Sequence, residues 1–424
     1  MFAGGTFTLF YLSLLLYFVR RQFDLFSYVF LVSALYFTPA FFGVVTDASF
    51  PIILEEIVFS TYVFYYGFYF VLILFAEFSS YATNVVTISR QYSAINSDSG
   101  FLALENMIVF LRFGTPLLLI GSYVVMGDLF FEADKQVFLD NQTRLYSMWQ
   151  QFACLYCFLS FVGRKWGDLF IGLLFASVDL YIGFRGVVVF GMLCIFLFYG
   201  LRANKSRKFM FGFLLMAVFG LVLSAIYKAI IVFVKIGDDD TALDRLLDID
   251  GFLESVYVSE SFITQQIFNT VIQVDFSIPL SHIFETLRVF LPSLHVHIFG
   301  APTGFNDYFQ NELFPNIPWG MASNIWAEQF ALLGWGGLFL TVIVFFVVIF
   351  ILNRKILVVF SQNRLIFSLF LVFLAAPAII FMHRNDLAFQ LVLIRDNALI
   401  FGGVFYCARL LASWRVLPRR SFVK

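Results

Sequence analysis

The sequence predicts an all-α, polytopic integral membrane protein, and three observations lead to this fold class. Of the 424 residues, 61% are hydrophobic and 13% are charged, whereas soluble domains average about 25% charged residues. The mean hydropathy is +0.89. The apolar residues gather in separate runs of about 20, the length that a helix needs to cross a bilayer. The net charge of −1 gives no indication of a nucleic-acid partner, and we expect none.

Eleven apolar segments are predicted to be membrane-spanning helices within a single membrane domain, residues 1–424. Their approximate bounds are 4–19, 26–44, 57–77, 106–125, 146–163, 168–183, 186–201, 209–234, 330–352, 364–382 and 388–412. The sixth and seventh are short and meet at Gly183-Phe184-Arg185-Gly186. This pattern predicts a tight turn or a helix break near one face of the membrane.

The four cysteines all lie in apolar runs. Cys154 and Cys157 form a C-x-x-C pattern inside the fifth predicted span, and Cys194 and Cys407 lie in the seventh and eleventh. A thiol in such a run acts as a small hydrophobe far more often than as a redox or metal ligand. We therefore predict neither a disulfide framework nor a zinc site.

The Lys and Arg residues indicate the orientation of the chain. One set of alternating loops carries 17 of the 27, and the other set carries 7. Because short cytoplasmic loops are enriched in Lys and Arg, the first set is expected in the cytoplasm. The N-terminus is then outside, the C-terminus is inside, and the longest polar loop, 235–329, is outside.

The loop 235–329 is the segment in which we expect the chemistry. Irregular backbone is tolerated at membrane depth only where it is buried in protein or lines a wet cavity. Between residues 262 and 290 we predict an amphipathic helix on each side of Pro279, lying near the membrane surface.

Several basic residues lie at outer helix ends, although Lys and Arg are expected mainly in the cytoplasmic loops. They are Arg185, Lys228, Arg288, Arg384 and Arg395. Charge near the bilayer usually faces a wet cavity or a partner, and guanidinium suits bidentate phosphate binding. This cluster predicts an anionic ligand on the outer side. The alternative is that each Arg pairs with a carboxylate close by in the sequence. The candidate partners are Asp179 for Arg185, Asp386 for Arg384 and Asp396 for Arg395.

The remaining candidates are histidines and one glutamate. His282, His295, His297 and His383 all fall on the outer side of this topology. The segment His295-Val296-His297 can place both imidazoles on one face of an extended strand, but no third ligand follows at metal spacing. His295 is compatible with a catalytic base, although a surface or packing role is the more common one for such a histidine. Glu328 precedes the ninth span and is compatible with a general base or with a charge that favours the helix dipole.

Four segments resemble the O-antigen polymerase family, integral-membrane enzymes that polymerise lipid-linked oligosaccharide repeats. Residues 182–186 resemble the family's Gly-x-Arg-small turn, and residues 287–293 resemble its Arg…hydrophobic-Pro-Ser segment. Residues 320–337 resemble the segment that leads into the next helix. Residues 384–387 with Arg395 resemble the arginine-containing loop before the last span.

The resemblance implies a GT-C-like membrane glycosyltransferase of the bacterial inner membrane that acts at the periplasmic face. It implies undecaprenyl-pyrophosphate-linked oligosaccharides as donor and acceptor, with the lipid bilayer and a chain-length regulator as further partners and no cofactor or metal. Carried over residue by residue, it implies that Arg185, Arg288, Arg384 and Arg395 bind pyrophosphate and stabilise the leaving group. Glu328 is the first candidate for the base and His295 the second. The candidate substrate-binding residues are Lys228, His297 and Asn324, besides Arg395.

Two other functions stay open. An O-antigen ligase, which transfers finished glycan to a lipid A core, shares the architecture and relies on a loop histidine, so His295 and His297 favour it. The segment 290–293 and the loop at Arg384 favour the polymerase. A non-enzymatic flippase or transporter would predict pseudo-symmetric halves and charges near the midplane, whereas the charges here gather at the outer face.

Overall fold

The computed structural model describes residues 2–46, 54–85, 98–132, 137–138, 141–203, 212, 259–289, 303–317 and 321–416. The labelled helices are α1 (Phe2–Arg20), α2 (Leu25–Tyr36), α3 (Thr38–Phe42), α4 (Phe59–Val85), α5 (Asp98–Met126), α6 (Arg144–Val162), α7 (Trp166–Ile182), α8 (Gly186–Ala203), α9 (Glu260–Gln273), α10 (His282–Arg288), α11 (Phe305–Leu313), α12 (Ile325–Ser361), α13 (Leu365–Phe381) and α14 (Leu387–Val416). A 3-10 helix, Gly127–Phe131, follows α5, and the strands β1 (Val44–Thr46) and β2 (Leu54–Glu56) form a short antiparallel hairpin.

The described chain is mostly helical and confirms an all-α membrane protein at this coarse level. Within the described ranges, five helices are long and apolar enough to cross a membrane: α1, α4, α5, α12 and α14. Ten of the eleven predicted segments coincide with helices in position. The eighth, 209–234, lies outside the described residues apart from residue 212, so the count of eleven spans stays a prediction.

The helices belong to two compact units. Unit 1 comprises Met1–Ile88, Gly200–Lys355 and Ala378–Ile394. Unit 2 comprises Ser89–Tyr199, Ile356–Pro377 and Arg395–Lys424.

In unit 1, the predicted second span, 26–44, is wrong as one continuous helix. α2 ends at Tyr36, and Pro39 lies in the first turn of the five-residue α3. Proline lacks the N–H that a continuing helix needs, although it is well suited to a first turn. α3 in turn ends at Gly43, whose φ of 75° lies in the left-handed region that glycine adopts without strain. The hairpin β1–β2 that follows is a small β element that the sequence patterns did not indicate.

Aromatic side chains fill the interior of unit 1 between α1, α2 and α4. Tyr11 and Phe18 of α1 both stack on Phe30 of α2, with ring centroids 5.0 and 4.5 Å away. Tyr69 of α4 meets the same ring edge-on at 5.9 Å. Such pairs contribute about 0.5–1.5 kcal/mol beyond the area they bury. Packing between helices is therefore one use of the 61 phenylalanines.

A buried polar network lies at the other end of these helices. The Oδ1 of Asn353 in α12 accepts the N–H of Leu25 at 3.1 Å, and its amide donates to the hydroxyl of Ser79 at 3.0 Å. Asp24, the N-cap of α2, lies 3.3 Å from a guanidinium nitrogen of Arg21. The network therefore joins α2, α4 and α12 through groups that hydrocarbon could not satisfy.

The prediction of a helix on each side of Pro279 is confirmed by α9 and α10, but α9 is not an amphipathic surface helix. It packs on α2, α3, α4 and β1, and its polar residues are buried with the apolar ones. Gln265 accepts the hydroxyl of Tyr65 at 2.9 Å, and Asn269 accepts the hydroxyl of Thr61 at 2.9 Å. These partners from α4 satisfy the amide oxygens of Gln265 and Asn269 in the interior. Nε2 of Gln265 and Oε1 of Gln266 are buried without a partner among the described residues.

In unit 2, the predicted break at the sixth and seventh spans is confirmed as a turn. α7 ends at Gly183 with φ 107°, and α8 begins at Gly186. Asp179 of α7 accepts the N–H of Val187 at 3.2 Å, which holds the two helices together across the turn. At the opposite end of α7, Arg112 of α5 forms a bidentate ion pair with Asp168 at 2.7 and 2.8 Å.

Candidate functional site

A buried histidine–carboxylate pair lies in unit 1, where α10 meets the start of α12. The Nε2 of His282, the first residue of α10, is 2.9 Å from Oε1 of Glu328, and both side chains are 1% exposed. The other oxygen of Glu328 accepts the N–H of Leu387, the first residue of α14, at 2.7 Å. One carboxylate therefore joins three helices.

Asn324 sets the position of Glu328. It lies directly before α12, where its Oδ1 accepts the N–H of Ala327 at 2.7 Å, as an N-cap does. Its amide donates to the carbonyl of Thr264 in α9 at 2.8 Å. Glu328 follows one helical turn later, so the cap fixes the direction of its side chain. The role of Asn324 in substrate binding stays a prediction.

Two further carboxylates, Asp386 and Glu285, lie close to the pair and accept hydrogen bonds from backbone N–H groups of the neighbouring segments. Asp386 precedes α14 and accepts the N–H of Phe389 at 2.9 Å, while its other oxygen lies 3.4 Å from the N–H of Phe305. Glu285 of α10 accepts the N–H of Thr303 at 2.8 Å. Three carboxyl groups therefore lie close to His282, and backbone N–H groups supply much of their hydrogen bonding.

His282 takes its chemical character from these charges. Burial lowers the pKa of its imidazole, but the hydrogen bond with Glu328 and the charges of Glu328, Asp386 and Glu285 outweigh burial, so its pKa is raised above 6.5. In the neutral form, Nε2–H donates to Glu328 and Nδ1 carries the lone pair. Among the described residues, this buried Nδ1 has no hydrogen-bond partner. The ring of Tyr308 meets the imidazole edge-on at 5.5 Å.

Arg384 precedes Leu387, whose N–H binds Glu328, by three residues, and it has a carboxylate partner. Its guanidinium is 3.2 Å from Glu260, the first residue of α9, and covers the ring of Phe381 at 5.6 Å. Both charged side chains are about a third exposed. The expected pairing of Arg384 with Asp386 is therefore wrong: its carboxylate partner is Glu260, which is distant in the sequence, while Asp386 binds the backbone at α11 and α14.

The other candidate residues are distributed as follows. Arg288 is the last residue of α10, the helix that begins with His282. Arg395 lies in unit 2 and forms the expected ion pair with Asp396 at 2.8 Å. Arg185 also belongs to unit 2, in the turn before α8. Lys228, His295 and His297 lie outside the described residues.

His282 is the functional candidate that sequence reasoning missed. It was visible as one of four histidines, but it lies 46 residues from Glu328 in the chain and belongs to no motif. In the part of the chain that the structure describes, no three His, Cys, Asp or Glu side chains are arranged to hold a metal ion.

The fold and this site define a helical membrane protein with a buried His–carboxylate pair at a helix start. Comparison with protein-family models, with curated proteins and with solved structures gave no match. Any function for the chain therefore rests on the fold, the site and the sequence motifs.

Proposed function

We propose that the chain is a membrane glycosyltransferase that polymerises undecaprenyl-pyrophosphate-linked oligosaccharide repeats into O-antigen or a related surface polysaccharide. The observation that supports this most is the buried His282–Glu328 pair at the start of an apolar helix, with Arg384 beside it. A sugar-transfer site at a membrane surface needs a proton acceptor for the incoming hydroxyl and a cation for the departing pyrophosphate. The four segments that resemble the O-antigen polymerase family support polymerisation as the reaction.

In this reaction the hydroxyl of the acceptor sugar attacks the anomeric carbon of the donor glycan. The bond between that carbon and the pyrophosphate oxygen breaks, and its electron pair stays on the pyrophosphate. The Nδ1 of His282 takes the hydroxyl proton, while Glu328 holds Nε2–H and stabilises the imidazolium that forms. Arg384 faces the charge that grows on the leaving group.

Glu328 is a positioning residue in this proposal, which differs from the expectation that it is the base. Both of its oxygens already accept hydrogen bonds, from His282 and Leu387, whereas Nδ1 of His282 has no partner among the described residues. A carboxylate in that position orients an imidazole better than it reaches a substrate.

The proposed topology has eleven spans in a GT-C-like arrangement in the bacterial inner membrane, with loop 235–329 in the periplasm. The distribution of Lys and Arg supports it. Cysteines placed at the exposed positions Glu312 and Gln362 test it. An impermeant thiol reagent added to spheroplasts should label the first and spare the second, and the opposite result rejects the orientation.

The function itself is tested by deleting the gene and analysing the surface glycan. Single attached repeats mean that a polymerase was lost. No attached repeats mean that a ligase was lost, a function that the histidine of the site also suits. Repeats trapped in the cytoplasmic leaflet mean that a flippase was lost. His282→Gln at equal protein level should reproduce the deletion, whereas Asn311→Ala, an exposed change on α11, should restore long chains.

A further inference from the structure

Gln390 is a buried amide that the described part of the fold leaves unsatisfied. It lies in the first turn of α14 and is 2% exposed, and neither its Oε1 nor its Nε2 has a hydrogen-bond partner among the described residues. Among the described amides of unit 1, Gln265, Gln266 and Asn306 each have one buried end without a partner, but Gln390 is unpartnered at both ends. Asn269 accepts from Thr61 and donates to the carbonyl of Glu56, and Asn353 accepts from Leu25 and donates to Ser79. Unpaired buried amides are rare, and in a membrane helix they mark functional sites.

The position of Gln390 connects it to the His282–Glu328 pair. Side chains of a helix lean toward its N-terminus, so the amide covers the start of α14. There the N–H of Leu387 binds Glu328, and the carbonyl of Asp386 accepts the N–H of Gln390 itself at 3.2 Å. The Nδ1 of His282 and the Nε of Arg384 are also buried without a partner among the described groups. Four buried atoms without a partner among the described residues thus lie on the elements that build this site.

The chemistry of the site selects the kind of ligand. An amide offers two donors and an acceptor, so its complement is a group that both donates and accepts, which a hydroxyl does. Glu328, Asp386 and Glu285 make the surroundings of His282 negative, which disfavours phosphate or carboxylate there. A neutral polyhydroxylated ligand fits both conditions.

We propose that Gln390 binds hydroxyl groups of the acceptor sugar and holds one of them beside His282. This inference rests on the proposed function and adds to it the residue that recognises the acceptor. Gln390 donates to one sugar oxygen and accepts from a second hydroxyl, which leaves the attacking hydroxyl for Nδ1 of His282. The pyrophosphate of the donor stays on the arginine side of the site.

Gln390→Leu tests this assignment, because leucine removes both polar ends and occupies a similar volume. With purified protein in proteoliposomes and a lipid-linked repeat as substrate, KM for the acceptor should rise about tenfold or more. The melting temperature should equal or exceed that of the wild type, since an unsatisfied amide is removed. The control is Asn324→Leu, which breaks two existing hydrogen bonds and should lower the melting temperature. An unchanged KM with a lower melting temperature for Gln390→Leu would mean that the amide is structural.

Sugar binding without turnover separates this inference from the proposed function. The melting temperature of each protein is measured with free galactose and with free N-acetylglucosamine at high concentration. A shift in the wild type that Gln390→Leu abolishes supports the sugar site, even where no lipid-linked repeat is polymerised and the proposed function fails. Polymerisation with an unchanged KM in the variant rejects the sugar site and keeps the polymerase. A wild type with neither a shift nor polymerisation rejects both.

Discussion

Replacement of Glu328 separates the structural role of the His282–Glu328 pair from its chemical role. Glu328→Ala removes the hydrogen bonds at 2.9 Å to His282 and at 2.7 Å to the N–H of Leu387. Each buried group left unpaired costs about 1–3 kcal/mol. The free energy of unfolding should therefore fall by about 2–6 kcal/mol, with the new cavity adding to the loss.

Glu328→Gln should keep most of the stability and lose the activity. The amide oxygen can accept the N–H of Leu387, and the amide nitrogen can donate to Nε2 of His282. That second bond places the imidazole proton on Nδ1, so the proposed proton acceptor is blocked. We expect the free energy of unfolding to change by about 1 kcal/mol, while polymerisation falls by about 10²–10⁴-fold, the contribution of a general base.

Thermal unfolding in detergent and glycan laddering in cells measure the two effects at equal protein level. Long chains at wild-type amounts with Glu328→Gln would refute the tautomer argument, and a Glu328→Ala protein as stable as the wild type would refute the pair itself. The rate of the wild type should also rise as pH increases through the raised pKa of His282, since the neutral imidazole is the acceptor. Protonated His282 contributes to the free energy of unfolding, and this contribution is fully present below pH 6.5. It is lost as pH rises through the pKa that His282 has in the folded state, so stability falls over the pH range in which the rate rises.

Variants at three further positions test other parts of unit 1. His383 accepts the indole N–H of Trp326 at 3.1 Å, and burial lowers the pKa of its imidazole to about 3. As pH falls from 6.5 toward 3, only the unfolded state binds this proton, so the free energy of unfolding should fall by about 1.4 kcal/mol per pH unit. In His383→Phe, the melting temperature should depend less steeply on pH. Asn353→Ala should lower the free energy of unfolding by about 2–4 kcal/mol because it removes buried hydrogen bonds to two helices, at Leu25 and Ser79. An unchanged melting temperature would contradict the network. Arg384→Ala should change the free energy of unfolding by about 1 kcal/mol or less, since its ion pair with Glu260 is partly exposed. It should nevertheless reduce glycan laddering by about 10²-fold. A loss of laddering that is accompanied by a large loss of stability would mean that the arginine is structural. Arg384→Lys should not restore laddering, because an ammonium lacks the planar fork.

The sequence predicted the features that depend on local pattern. Apolar runs located the helices, and Gly183 marked the end of α7, because hydrophobic length and glycine conformation are readable over a few residues. The end of α2 before Pro39 was readable by the same logic but was hidden by the continuous apolar run through residues 26–44.

The site depended on partners that are distant in the chain. Glu328 and Arg384 were identified as candidates, but His282 and Glu260 could not be assigned to them, because periodicity does not say which loop meets which helix. The burial of α9 was missed for the same reason. Gln265 and Asn269 look like a polar helix face until Tyr65 and Thr61 of α4 supply their hydrogen bonds.

α12 does not act as one rigid rod from Ile325 to Ser361. At Gly334 its backbone adopts φ 62° and ψ −155°, a conformation that is essentially restricted to glycine, and a Cβ there would meet no atom within 4 Å. The break separates the short first segment, which carries Glu328, from the long apolar part that crosses the membrane. A bilayer that is thicker or thinner changes the tilt of the long part. The bend at Gly334 can take up that change, while Asn324, His282 and Leu387 keep the first segment in place. We therefore expect the geometry of the site to depend little on the thickness of the membrane around it.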